Sequence, residues 1–148
     1  MNADRDLDVR LAVYRRLIAT AAAPTAGEVA AELGATAADV REAYARLAQR
    51  RLLVLMPDGE TIRMAPPFSG VPTQHRVIVG ATEYAAPCAW DAFGIVAVLG
   101  GRGVVRSRCE QSHAPLELRI EDGVGADSQW RYHAAVPARR WWDDIVYT

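Results

Sequence analysis

Along the first fifty positions, apolar and polar residues alternate at a helical period. Leu7, Leu11, Tyr14, Leu17 and Ile18 share that spacing, which predicts a helix over 7–22, ended by Pro24. Thr25-Ala26-Gly27-Glu28 is a capping box that opens a short helix through Leu33, with Gly34 as its stop. Thr36-Ala37-Ala38-Asp39 is a second cap-like start, and Val40, Ala43, Tyr44 and Leu47 then fall on one helical face. The period changes at Leu52-Leu53-Val54-Leu55, which reads as a strand. Pro57-Asp58-Gly59-Glu60 reads as a turn and Thr61-Ile62-Arg63-Met64 as the returning strand. Three helices followed by a hairpin is a winged-helix pattern.

Ala65 to Thr73 is rich in proline with a Ser-Gly pair, the composition of a linker. Phe68, its one large apolar residue, is expected to pin it to a core. Beyond it the pattern is of short strands. Val77-Ile78-Val79 is a buried-type strand ended by Gly80. A helix is expected from Pro87 to about Leu99, stopped by Gly100-Gly101. Val104-Val105 with its flanks forms a strand leading to Cys109. Leu116, Leu118 and Ile120 alternate with Glu117 and Arg119, a half-buried strand, and Glu121-Asp122-Gly123 is a turn. Gln129 to Ala135 reads as a strand with Trp130 and Tyr132 on one face. Pro137 starts a helical turn through Trp142, before a strand-like Ile145-Val146-Tyr147. The expected fold is therefore α+β: a winged-helix-like domain over 1–64, a linker over 65–73, and a mixed domain over 74–148 with one prominent helix carrying Cys88.

Composition narrows the function classes. Apolar residues make up 51% and charged residues 24%, an ordinary globular balance, and the net charge is −1. That charge gives no electrostatic case for nucleic acid or an anionic membrane. The candidate recognition helix, 37–49, turns Asp39, Arg41, Glu42, Arg46 and Gln49 outward, with no basic stripe for phosphates. Arg50 and Arg51 read as a solvated helix end. No run of 18 apolar residues is present, and Met1-Asn2-Ala3-Asp4-Arg5-Asp6 lacks the basic start of a signal peptide, so the cytoplasm is the expected compartment. There two cysteines are reduced thiols rather than a disulfide, and they are too few for a structural zinc site unless histidines join them.

Candidate chemistry centres on Cys88-Ala89-Trp90-Asp91. In the first turn of a helix starting at Pro87, unpaired N–H groups and the dipole favour a thiolate at Cys88. Asp91, three residues on, shares its face. It disfavours the thiolate and, when desolvated, keeps its own proton. One reading is a soft nucleophile beside a proton donor. The other is a buried cysteine on an amphipathic helix with a solvated aspartate, and spacing alone leans that way, since free cysteine is among the most buried residue types. Cys88, Cys109 and His113 do not have a zinc spacing, and His113 reads as polar surface. His75 and His133 have no nearby partner in sequence. Trp130, Trp141 and Trp142 either wall an apolar pocket or divide between core and surface. Asp143 and Asp144 read as solvated charge.

These motifs resemble the organomercurial (alkylmercury) lyase family over nearly the whole chain. Pro66-Pro67-Phe68-Ser69 with Pro72-Thr73 resembles its interdomain signature, and Cys88-Ala89-Trp90-Asp91-Ala92 with Gly94-Ile95 its catalytic helix. Ser107-Arg108-Cys109 resembles its second cysteine strand. Val136-Pro137-Ala138 and Trp141-Trp142-Asp143-Asp144-Ile145 resemble the closing segment of its shorter members. The resemblance implies protonolysis of a carbon–mercury bond. It implies Cys88 as the cysteine that takes mercury, Asp91 as the proton donor, and Cys109 as a usually structural cysteine; apart from the resemblance, Cys109 or a small cytosolic thiol is a candidate source of the second mercury-binding thiol. The resemblance implies no resident cofactor, mercury as substrate and product, and a small-molecule thiol as co-reactant. Characterised members place a further cysteine near the C-terminal end, whereas Arg140 to Thr148 contains none. Two other readings stand beside the lyase: a non-catalytic thiol-dependent heavy-metal binding or sensing protein on the same scaffold, and a family member acting on another substrate.

Overall fold

The computed structural model describes residues 2–125 and 129–147. It is an α+β fold in which three helices precede two antiparallel sheets.

Helix α1 spans Asn2–Thr20, α2 Ala26–Leu33 and α3 Ala37–Gln49. Both capping boxes form: the Thr25 hydroxyl accepts from the Glu28 amide and the Thr36 hydroxyl from the Asp39 amide, and each acid reaches back to the cap. Gly34 ends α2 in the left-handed conformation at φ 62°. The buried face of α1 differs from the stripe that announced the helix. Val9, Ala12, Val13 and Leu17 are buried, whereas Leu7, Leu11 and Ile18 are exposed. Two apolar faces coexist on α1, and the one with smaller side chains lets α2 and α3 approach closely. Asp6, buried on the same helix, accepts from the Arg46 guanidinium of α3 at 2.9 Å.

Strands β1 (Val54–Leu55), β2 (Ile62–Ala65) and β3 (Phe68–Ser69) form the small sheet. The proline-rich stretch is thus more than a tether, since Phe68 and Ser69 pair with Ala65 and Met64. Phe68 is buried and packs edge-on against Tyr14 of α1 and Tyr84 of the large sheet, at 6.3 and 5.7 Å between centroids. Two hydroxyls reinforce that junction. Tyr14 donates to the Pro66 carbonyl and Tyr84 to the Ile18 carbonyl, each at 2.8 Å. One continuous apolar core results, from Val9 to Ile120.

The large sheet has the order β5-β4-β6-β7-β8: β4 is His75–Val79, β5 Thr82–Ala86, β6 Gly103–Arg108, β7 Pro115–Glu121 and β8 Val124–Gly125. Strand β5 is not signalled by its hydrophobic pattern. It returns from β4 through Gly80-Ala81, with Gly80 at φ 60° as the first central residue of a two-residue hairpin turn. Helix α4 (Ala89–Val98) lies on this sheet, burying Ala92, Ile95 and Val96 over Val77 and Val105. Gly94 allows its close approach to the proline stretch, since a Cβ there would stand 3.1 Å from Pro67.

The closing segment departs from expectation. Residues 129–134 are irregular rather than a strand, and Ile145–Tyr147 is a turn. Strand β7 has the two-residue β8 as its outer neighbour, and neither segment joins a sheet. A 3-10 helix does form over Ala138–Asp143, after Pro137. Among the described residues no helix is long and apolar enough to cross a membrane.

Candidate active site

The first turn of α4 carries the candidate chemistry. Pro87 sits one position outside the helix, not at its first turn, and Cys88 is the N-cap with extended backbone (φ −146°, ψ 176°). Cys88 and Asp91 therefore occupy N-cap and N3, the spacing of a capping box. The side chain does not cap: the sulfur closes no hydrogen bond on the helix amides. Instead the thiol donates to Asp91 Oδ2 at 3.3 Å.

Burial sets the electrostatics of the pair. It pushes the Cys88 thiol up to about 11, and the Asp91 charge and hydrogen bond push the same way, against the Asp91 and Trp90 amides. Burial also raises the Asp91 carboxyl, opposed by the thiol that donates to it. Both groups thus hold their protons more tightly than in water, so the dipole does not win at Cys88.

Tyr132 lies near the pair: burial raises its phenol, and the charges of Cys88 and Asp91 push it the same way. Its ring meets Trp90, at 5.8 Å between centroids with planes tilted by 44°. The alternation that placed Tyr132 on a strand with Trp130 hid this contact, and no local motif links residue 132 to the α4 cap.

The other candidates lie apart. Cys109 follows β6, and its thiol accepts from the Ser112 amide at 3.5 Å. Hydrogen bonds from Ser112, with the Gln111 amide, hold its thiol below the usual range and so favour the thiolate. Both cysteines are free thiols. β5 and β6 end at the same edge of the sheet with β4 between them, so their backbones are about 10 Å apart there, two strand spacings. His75 shares a 2.8 Å hydrogen bond between Nδ1 and Ser107 Oγ, and burial lowers its ionisation. Trp141 donates to the Val136 carbonyl, and Trp142 lies under the Arg51 guanidinium, 5.7 Å from its ring centre. The aromatic contact next to the α4 cap is instead that of Trp90 with Tyr132. Asp143 pairs with Arg140 on the surface. Among the described residues no group of three or more His, Cys, Asp or Glu side chains could hold a metal ion.

The mercury-bound form of MerB2, a solved structure, aligns with a TM-score of 0.64 at 22% identity, over 82% of this chain and 60% of that one. At that identity the likeness shows the fold, and this chain spans about 60% of the other's length. No curated protein matches the sequence. The family model for alkylmercury lyase matches residues 68–148, which include β3, the large sheet, the α4 cap and Tyr132. That match covers more than half of the sequence, and the chain belongs to the alkylmercury lyase family.

Proposed function

We propose that this chain cleaves carbon–mercury bonds by protonolysis, with Cys88 as nucleophile and mercury ligand and Asp91 as proton donor. The observation that carries the reading is the 3.3 Å contact from the Cys88 thiol to Asp91 Oδ2 in a half-buried helix cap. Mercury(II) is soft and takes thiolate ligands. A thiol held near 11 is protonated at neutral pH, so the metallation step must move its proton. The Asp91 carboxylate is the acceptor in contact. Sulfur displaces the ligand X⁻ from R–Hg–X, forming R–Hg–S(Cys88), while the thiol proton passes to Asp91. The carboxylic acid then protonates the carbon as the C–Hg bond breaks. This releases R–H and leaves mercury on sulfur beside the carboxylate, and a small-molecule thiol removes it. Burial supports the second step, because a desolvated carboxylic acid is a better donor to carbon than a solvated carboxylate is.

Cys109 is proposed as the second mercury-binding thiol. A thiol held below the usual range yields thiolate more readily, which suits a soft cation, and its separate hydrogen-bond network makes Cys88 the thiol that does the chemistry. The test is benzene release from phenylmercury with excess small thiol. Cys88→Ser abolishes release and tight mercury uptake, Asp91→Ala abolishes release and keeps uptake, and Cys109→Ser retains release. Full release by Asp91→Ala overturns the proton-donor assignment. Tight uptake by the unmodified protein with no benzene makes the chain a mercury-binding protein on this scaffold.

A further inference from the structure

Helix α1 carries two apolar faces, and the core takes only one of them. The other is the stripe that gave the helix its period: Leu7, Leu11, Tyr14 and Ile18. Leu7, Leu11 and Ile18 are 51%, 45% and 42% exposed, while Tyr14 turns partly inward onto Phe68. The spacing of four, three and four residues is that of d and a positions in successive heptads, the narrow seam along which one helix packs on another. In the same frame Asp8 and Arg15 are e positions on one side of the seam, and Arg10 is a g position on the other. Asp8 is exposed. Arg15 pairs with Glu32 at 2.8 Å yet keeps 57% of its side chain exposed, and the Arg10 guanidinium lies over the Tyr14 ring, 5.5 Å from its centre.

We infer that this stripe is the docking surface for α1 of a second copy of the chain, packed antiparallel about a two-fold axis between Leu11 and Tyr14. Charge decides both the occupant and the direction. In an antiparallel pair e positions face e positions, so Asp8 of each copy meets Arg15 of the other, and the contact forms twice. In a parallel pair a g position faces the e position five residues on, which sets Arg10 against Arg15, like against like. The seam is self-complementary as well: Leu7 lies opposite Ile18 and Leu11 opposite Tyr14, each twice. A lipid surface is a poorer fit, because Asp4 and Asp8 flank the stripe where a membrane-binding helix carries a basic band. One helix pair buries less than the roughly 1,200 Å² of a standard stable interface, so the dimer is a weak one, with Kd on the order of 100 μM. The inference does not depend on the lyase reading.

The experiment is sedimentation velocity of the full chain at low salt, from about 10 μM to about 1 mM, with circular dichroism to establish that each variant is folded. The unmodified protein should pass from monomer to dimer across that range. Leu11→Glu, at the centre of the seam and half exposed, should stay monomeric. Asp8→Arg and Arg15→Asp should each weaken the dimer about tenfold, because each turns both e-position contacts into like-charge pairs. Mixed in equal amounts, these two variants should recover a dimer at least as tight as the unmodified one, since every e-position contact then joins opposite charges. Monomers at every concentration would overturn the proposal, whether or not anionic vesicles then bind the chain. So would a dimer that Leu11→Glu leaves intact, which would place the interface elsewhere. A mixture as weak as its components would overturn the antiparallel arrangement, as would a dimer that Arg15→Asp strengthens, because that change relieves the Arg10–Arg15 contact of a parallel pair.

Discussion

Replacing Phe68 with alanine tests how the helical part of the chain is joined to the sheet that carries the site. Phe68 is 2% exposed and is the central ring of three, between Tyr14 and Tyr84. Truncating a buried phenylalanine costs about 3–5 kcal/mol in lost transfer energy and residual cavity. The two edge-on contacts, about 0.5–1.5 kcal/mol each, lie within that figure rather than on top of it. Collapse is restricted here, because both tyrosines are tied by hydroxyl bonds to backbone carbonyls, Tyr14 to Pro66 and Tyr84 to Ile18. The cost should therefore fall near the middle, about 4 kcal/mol, a large fraction of the 5–15 kcal/mol that stabilises an ordinary protein. With a urea m-value of about 2 kcal/mol/M the midpoint should fall by roughly 2 M. Phe68→Leu, which keeps most of the volume, should cost about 1–1.5 kcal/mol. The assay is urea unfolding followed by tryptophan fluorescence and far-ultraviolet circular dichroism. A loss below about 1 kcal/mol for Phe68→Ala, at unchanged m-value, would refute the argument that this ring joins the two parts.

Two further predictions concern titrating groups. Burial raises the Asp91 carboxyl, so its contribution to stability is complete below the unfolded value and is lost as pH rises through the folded one. At neutral pH Asp91→Asn should therefore melt at the same temperature or higher while losing benzene release, and a clear drop in melting temperature would contradict the sign. His75 is shifted the other way, because burial lowers it. Its contribution is present above the unfolded value of about 6.5 and is lost as pH falls through the folded one. Thermal melts across that range should show a drop on acidification that His75→Gln reduces, and identical acid limbs would show that another group is responsible.

Local chemistry made part of this fold legible. The two capping boxes, Gly34 and the 3.6-residue period announced α2 and α3 at their observed bounds, since each signal acts within four residues. Strand β5 was missed because half of its residues face α4 and the core while its sequence, Thr82–Ala86, has no strong apolar alternation. Its signal lay in the turn, where Gly80-Ala81 has glycine at the first central position. The reverse error came at 129–135, where an alternating pattern alone does not bring the segment into either sheet. The site divides the same way. Cys88 and Asp91 were visible because one helical turn fixes their separation. Tyr132 was not, because it meets Trp90 of the α4 first turn from a segment without regular structure, far along the chain. The raised Cys88 thiol is likewise a tertiary effect: the first-turn dipole favours a thiolate, but desolvation of the packed cap outweighs it.

The same chain uses one short pattern three times, and the comparison isolates what makes the third a site. Thr25 with Glu28, Thr36 with Asp39, and Cys88 with Asp91 each place a polar residue at N-cap and an acid at N3. At the two threonines the hydroxyl accepts an amide and the acid answers, so the groups serve the helix. At Cys88 a thiol replaces the hydroxyl, and sulfur is a weak acceptor, so the cap stays open and the thiol turns to the carboxylate. Cys88→Ser returns the first kind of chemistry to the third position. Its hydroxyl should accept the Asp91 amide, as Thr36 accepts that of Asp39. That would stabilise the protein by about 0.5–1 kcal/mol, within the range for a serine cap. Mercury uptake and benzene release should be lost together with that gain. The measurement pairs thermal or urea unfolding with mercury binding on one variant. A variant less stable than the unmodified protein would show that sulfur packing, rather than an open cap, governs this turn.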